Sequence, residues 1–354
     1  MSRFVPSRRL LGLQAGSLLL GASAARWLTE AQAQTRVQRP STKTLRIAAG
    51  GMGSLYYLPL TAAERLGYFR EEGLNVELLD FAGGALAMDA LRNGDADVAC
   101  GAFEQLLEQQ ALGFECRSLA LMGRTPQMAV ATSLRFWPRK ALSSYRDIRI
   151  GVSSPGSSSQ FFAKLWLIQE GLSPDAVEFV GLGGGVNALN AMRQGRVHAL
   201  SHVDPLITLL EQNNEVRIMA DTRTLKGSQD FFGGPMPGAC LYAPRSFTER
   251  RASETQALAN AMVHALKWMQ TAGPSDLARI IPMQYWLDDR GAYLSAFEKV
   301  RETLSPDGVM PGDGPATALG ALARLRTSQV APKVNLSLSY SNEWVRRAKQ
   351  KFQL

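Results

Sequence analysis

Residues 81–104 read FAGGALAMDALRNGDADVACGAFE, and this stretch decides the fold. A glycine pair breaks an extended run. Leu86, Ala87, Ala90 and Leu91 then recur at helical spacing, Gly94 ends the helix, and Ala96-Asp97-Val98-Ala99-Cys100 reads as a short buried strand. The same order returns 101 residues later as residues 180–203, VGLGGGVNALNAMRQGRVHALSHV. Gly83-Gly84 answers Gly184-Gly185, Ala90-Leu91-Arg92 answers Ala191-Met192-Arg193, and Gly94 answers Gly195. Upstream, Glu72-Gly73-Leu74 with Val76 and Glu77 matches Glu170-Gly171-Leu172 with Val177 and Glu178, at a spacing three residues longer. Element types repeat along with letters, so the chain reads as two similar α/β lobes.

Working outward, strands alternate with helices. Leu45–Ala49, Asn75–Asp80, Arg117–Met122 and Met128–Thr132 read as strands of the first half, with helices over Leu58–Leu66 and Phe103–Ala111. A stretch of changed composition, Ser133–Tyr145 with Trp137-Pro138, reads as the bridge. The second half opens on Ile148–Val152, a Ser/Gly loop and a helix over Gln160–Glu170. It continues with a helix from Asp204-Pro205 to Gln212, strands Val216–Ala220 and Ala239–Ala243, and then helices: Ser253–Gln270, Ser275–Ile281, Asp289–Leu304 and Asn342–Phe352. This alternation predicts mostly parallel sheets with a ligand cleft at the carboxyl ends of the strands. The expected division is 44–132 with 239–354 as lobe 1 and 133–238 as lobe 2.

The 354 residues are 45% hydrophobic, enough for two cores. Ser7-Arg8-Arg9-Leu10-Leu11 leads an apolar run to Ala25 that closes on Ala31-Gln32-Ala33, an A-x-A cleavage pattern. Residues 1–33 therefore read as an export signal. The arginine pair and modest hydrophobicity suit twin-arginine export, with the Sec route as the alternative. Gln34–Lys43 is a polar leader, and the absence of a cysteine after the apolar run argues against a lipid anchor. Removing the signal lowers the formal net charge from +8 to +5, with no Lys/Arg block, which makes nucleic acid a poor partner. Outside that run no stretch reaches the ~18 apolar residues of a membrane span, so the expected location is the periplasm, in soluble form.

Cys100, Cys116 and Cys240 form no C-x-x-C and no metal-type cluster; buried free thiols are expected, with a Cys100–Cys116 disulfide as the alternative. His198 and His202 stand about 13 Å apart if extended, too far to share a metal. Neither a metal nor a cofactor is expected: Gly181–Gly185 lacks dinucleotide-loop spacing, and no Gly-Lys-Ser/Thr follows a Gly-rich turn.

The binding candidates follow from the strand ends. Gly53 and Ser54, Gly83 and Gly84, and Gly101 and Ala102 allow close backbone approach, and helix N-termini offer free amides with positive partial charge. Ser157, Ser158 and Ser159 either cap a helix or donate hydroxyls to an oxyanion. Tyr56, Tyr57 and Phe103 offer flat apolar surface, with core packing as the alternative for one tyrosine. Glu104 either complements a helix dipole, worth roughly 0.3–1 kcal/mol, or pairs with an amino group or protonated ring nitrogen. Asp204 carries the same ambiguity as a helix cap. His202 joins them at the end of its strand.

Tyr57-Leu58-Pro59-Leu60 through Leu66-Gly67-Tyr68-Phe69-Arg70-Glu71-Glu72-Gly73-Leu74-Asn75-Val76-Glu77, followed by Ala90-Leu91-x-x-Gly94-x-Ala96-Asp97, resembles the nitrate/sulfonate/taurine-type (SsuA/THI5-like) substrate-binding proteins of ABC importers. Asp204-Pro205 and Tyr340-x-Asn342-Glu343 are also similar, so the resemblance spans most of residues 45–354. It implies a type II periplasmic binding protein fold, a monomer that closes on a small solute and presents it to a permease and ATPase in the inner membrane. The resemblance does not name the solute; the glycine loops, helix N-termini and serines make a small organic anion the expectation, a sulfonate, carboxylate or aromatic acid, with a thiamine/pyrimidine-type precursor as the alternative. The alternative is a desulfinase-like or pyrimidine-precursor-related enzyme on the same scaffold, which would need a reactive thiol; Cys100 is the only cysteine near a strand-end loop. A non-enzymatic role is expected.

Overall fold

The computed structural model describes residues 43–136, 147–325 and 334–353. The export signal, most of the polar leader and Trp137-Pro138 lie outside the described residues. Residues 41–354 form one compact unit built on two five-stranded sheets. The strands are β1 (Leu45–Ala49), β2 (Val76–Asp80), β3 (Val98–Ala102), β4 (Cys116–Leu121), β5 (Met128–Ser133), β6 (Arg149–Val152), β7 (Glu178–Gly181), β8 (Ala199–Val203), β9 (Val216–Asp221) and β10 (Ala239–Pro244).

The first sheet has the order β2-β1-β3-β10-β4 and the second β7-β6-β8-β5-β9. In each, three parallel strands are followed by one antiparallel strand, which pairs antiparallel with the edge strand. That antiparallel strand is the one arriving from the other lobe: β5 enters the second sheet and β10 returns to the first. β1, β3, β5 and β10 are almost wholly buried, because helices cover both faces.

The 101-residue echo is realised closely. Helix Gly84–Asn93 with β3 is answered by helix Gly185–Arg193 with β8. Gly94 ends the first helix at φ 80°, a left-handed turn that glycine takes without strain.

The boundary between lobes differs from the expected one. Met128–Thr132 does not belong to lobe 1, since β5 pairs with β8 and β9. The first crossing is the short segment 122–127, and it lies against the second: Thr125 Oγ1 donates to the Thr222 carbonyl at 2.8 Å, and Gly238 N donates to the Gly123 carbonyl at 2.9 Å. Nor does 239–354 stay within lobe 1. Helix Arg290–Val300 buries Tyr293, Phe297 and Val300 in the first core but Ala292 in the second. Its Lys299 bonds Glu211 of the second lobe at 2.9 Å. One face of this helix serves the first core while Ala292 reaches the second, a sharing that periodicity alone does not report.

Candidate functional site

The two lobes enclose a cavity of about 380 Å³ at the carboxyl ends of β1, β2, β6 and β8. Gly53, Ser54, Tyr56, Tyr57, Gly84, Ala102, Ser157, Ser158, Ser159, His202 and Asp204 all line it. Three helices begin at this wall: Gly84–Asn93, Ser158–Gln169 and Gly185–Arg193, none with a side-chain cap. Their first-turn amides therefore have no capping side chain and carry the positive end of each helix dipole. Close approach is built in at Gly50, where an added Cβ would stand 2.3 Å from the Gly84 amide nitrogen. Gly83, at φ 141°, leaves so little room that a Cβ would fall 2.3 Å from Ser154 Oγ of the other lobe.

The serines divide their work. Ser159 Oγ accepts from Ser153 N at 2.9 Å and lies 2.7 Å from Ser157 Oγ, so these two brace the loop ahead of the helix. Ser158 sits across from Glu104 of the first lobe. His202 is buried with Nε2 at 3.1 Å from the Gly183 carbonyl oxygen, and burial holds its pKa below the usual histidine value. Asp204 lines the cleft floor, and its Oδ1 accepts from Thr208 N at 2.8 Å in the first turn of helix Leu206–Gln212. Arg223, whose side chain is fully buried, stands 3.3 Å from the same oxygen. Asp80, the other carboxylate of the lining, accepts from the Gly51 and Met52 amides at 3.0 and 2.9 Å. Both cleft carboxylates are thus spent on protein donors, and among the described residues no lysine or arginine lines the cavity. The Tyr56 hydroxyl is buried without a hydrogen-bond partner.

Four expected residues lie elsewhere. Phe103 is fully buried in the core with Leu91, Leu106 and Leu107, because the first turn of its helix points inward. Gly101 is inside β3, opposite Cys240, and a Cβ there would meet the Tyr242 hydroxyl at 3.0 Å. Gly83 makes the interlobe contact described above, outside the lining. Glu104 is buried behind the wall, and desolvation pushes its pKa up to about 7 against the pull of the Ser158 hydroxyl.

Sequence reasoning missed Gln105, Asp80, Gly185 and the segment Gln284, Tyr285 and Leu287 among the lining residues. Gly185 was within reach, since it is the repeat partner of Gly84. Gln284–Leu287 has no local signal: it arrives from the C-terminal helices, and its place depends on how they pack. Cys100, Cys116 and Cys240 are free and buried, none lines the cleft, and burial pushes the Cys100 thiol up. The described residues hold no group of three or more His, Cys, Asp or Glu able to bind a metal ion.

The model of the NMT1-like family matches residues 40–282. This chain belongs to the NMT1-like family. A solved structure from Bordetella bronchiseptica RB50 shares 44% identity with this NMT1-like chain, covering 88% of it and 98% of the other, at TM-score 0.86. The periplasmic nitrate-binding protein NrtA from Synechocystis PCC 6803 is similar at TM-score 0.70 and 12% identity, over 89% and 90% of the two chains. The alkanesulfonate-binding protein SsuA from Xanthomonas axonopodis pv. citri, bound to MOPS, is similar at TM-score 0.65 and 17% identity, over 86% and 99%. These likenesses establish the periplasmic binding protein fold. No protein of curated function matches. Among the described residues no helix is long and apolar enough to cross a membrane.

Proposed function

We propose that this NMT1-like protein is the exported, soluble binding component of an ABC-type importer. It takes a small organic anion, a carboxylate or sulfonate on a short or aromatic body, into the interlobe cleft and delivers it to a membrane permease. The observation that carries this reading is the convergence of three uncapped helix N-termini on a cavity whose own carboxylates are already engaged. Backbone amides and hydroxyls bind an oxyanion without a cationic side chain. Tyr56, Tyr57, Tyr285 and Phe81 give the ligand body a flat, mainly apolar wall. A cavity of about 380 Å³ has room for a benzoate or a short alkanesulfonate.

The site residues proposed for contact are Gly53, Ser54, Tyr56, Tyr57, Gly84, Ser158, Gly185 and His202. A thiol-based reaction in the cleft is disfavoured by the burial of all three cysteines away from it. Native mass spectrometry of the freshly purified mature protein tests the proposal. A retained small acid, released on denaturation, is the expected result; a retained cationic or neutral heterocycle would overturn the anion assignment.

A further inference from the structure

Asp204 pairs with Arg223 and Asp80 accepts two backbone amides, whereas Glu104 has no cationic partner among the described residues and is only 3% exposed. It occupies the first turn of helix Phe103–Ala111, between Ala102 and Gln105, which both line the cavity. The groups facing it come from four elements. Glu108 lies on its own helix, Tyr56 and Tyr57 on the turn Leu55–Tyr57, Cys240 on β10, and Ser158 on the opposing helix of the second lobe. Each is neutral or negative. Tyr56 and Ser158 also line the cavity, and the buried Tyr56 hydroxyl is unpartnered. A charge on Glu104 would therefore sit in a low-dielectric wall, beside two side chains that line the cavity.

Resting on the anion reading above, we propose that Glu104 is a positioning residue that makes anion binding proton-linked: the cleft holds its anion with Glu104 neutral, and an ionised Glu104 opposes it. Two effects act in the same direction. Like charges at close range in a poorly solvated site repel strongly. A carboxylate also draws neighbouring O–H groups to itself, whereas a protonated carboxyl leaves the Ser158 and Tyr56 hydroxyls free to donate into the cavity. The fold already biases Glu104 toward the neutral form, since burial lifts its pKa to about 7. Binding of an anion then draws a proton from solvent onto those Glu104 carboxylates that are ionised, about half of them near pH 7 and most at pH 8, and by linkage the anion raises the proton affinity further.

The test is calorimetric titration of the full mature protein with benzoate and with ethanesulfonate at pH 6, 7, 8 and 9. At pH 8 the titration is repeated in phosphate and in Tris, whose ionisation enthalpies differ. The wild type is expected to lose about tenfold or more in affinity from pH 6 to pH 9, as the binding-competent fraction falls, and to take up protons on binding at pH 8. Glu104→Gln is expected to lose both the slope and the proton uptake, whatever its absolute affinity. Binding by the wild type with no proton uptake and a flat profile overturns the inference and leaves the anion reading standing. So does a Glu104→Gln profile as steep as the wild type. Failure of both probes to bind at every pH overturns the anion reading and this inference together.

Discussion

The Leu55 backbone amide donates to the Asp204 carbonyl at 2.9 Å, one residue from each lobe meeting across the cleft floor. A second bridge lies nearby: Gln105 Nε2 donates to the Gly156 carbonyl at 3.2 Å. With Gly83 packed against Ser154, these contacts describe the lobes drawn together around the cavity. A contact made only in the closed state strengthens ligand binding and leaves the open protein unaffected.

Gln105→Ala removes one such contact. A neutral hydrogen bond contributes about 1 kcal/mol, so affinity for a bound anion should fall about fivefold. The melting temperature of the ligand-free protein should move little. Calorimetric titration with the same probe anion checks this; an unchanged affinity would show that the Gln105–Gly156 bridge plays no part in closure.

The buried pair Arg223–Asp204 should dominate the stability of the second lobe. Arg223 also reaches Asp221 at 2.7 Å and Glu211 at 3.2 Å, so its loss strands a buried carboxylate and loosens two others. Arg223→Ala should cost about 3–5 kcal/mol, the range for breaking one partner out of a buried pair. Urea unfolding at pH 7 measures it, and a loss below about 1 kcal/mol would mean that Asp204 finds another donor or takes up a proton.

Glu104 also leaves a mark on stability against pH. Its folded pKa of about 7 lies above the ordinary value of 4.5. The folded state therefore holds the proton more tightly than the unfolded chain. That contribution is fully present below pH 4.5, is lost as pH rises through 7, and amounts to about 3 kcal/mol across the window. Glu104→Gln should accordingly raise the melting temperature relative to wild type at pH 8 and have little advantage at pH 4.5. Thermal unfolding at both values decides it: an equal effect at the two would mean that Glu104 is not the titrating group.

Export is a separate proposal, resting on the first 33 residues. Arg8→Lys with Arg9→Lys should leave the precursor in the cytoplasm, because the arginine pair is what the twin-arginine receptor reads. Cell fractionation reports the outcome, and normal periplasmic levels would point to the Sec route.

Much of the architecture was legible because it is locally encoded. The Gly83-Gly84 and Gly184-Gly185 echoes carry strand end, helix start and helix stop within one phrase, and the strand β1 and helix Phe103–Ala111 fall where the pattern puts them. The lobe boundary was not legible. Met128–Thr132 is apolar enough for either sheet, and only pairing with β8 and β9 assigns it. Phe103 and Glu104 follow a strand end just as Tyr56 and Tyr57 follow a glycine loop. Two residues of helix phase, about 200°, send Phe103 into the core and leave Gln105 facing the cavity. Gln284–Leu287 reaches the cleft only through the packing of helix Arg290–Val300 against both cores, a long-range relationship that no local spacing reports.

The central claim, that the cleft captures a small organic anion, is tested most directly by a thermal-shift panel on the mature protein at pH 6. Carboxylates and sulfonates are set beside amines and pyrimidines of similar size. A ligand at a hundredfold excess over its Kd stabilises the folded state by about 2.7 kcal/mol, well within detection. The account predicts that the melting temperature rises with aromatic or short aliphatic acids and that the rise is lost when the cleft is filled by Gly53→Trp. Stabilisation by amines or neutral pyrimidines alone would contradict it.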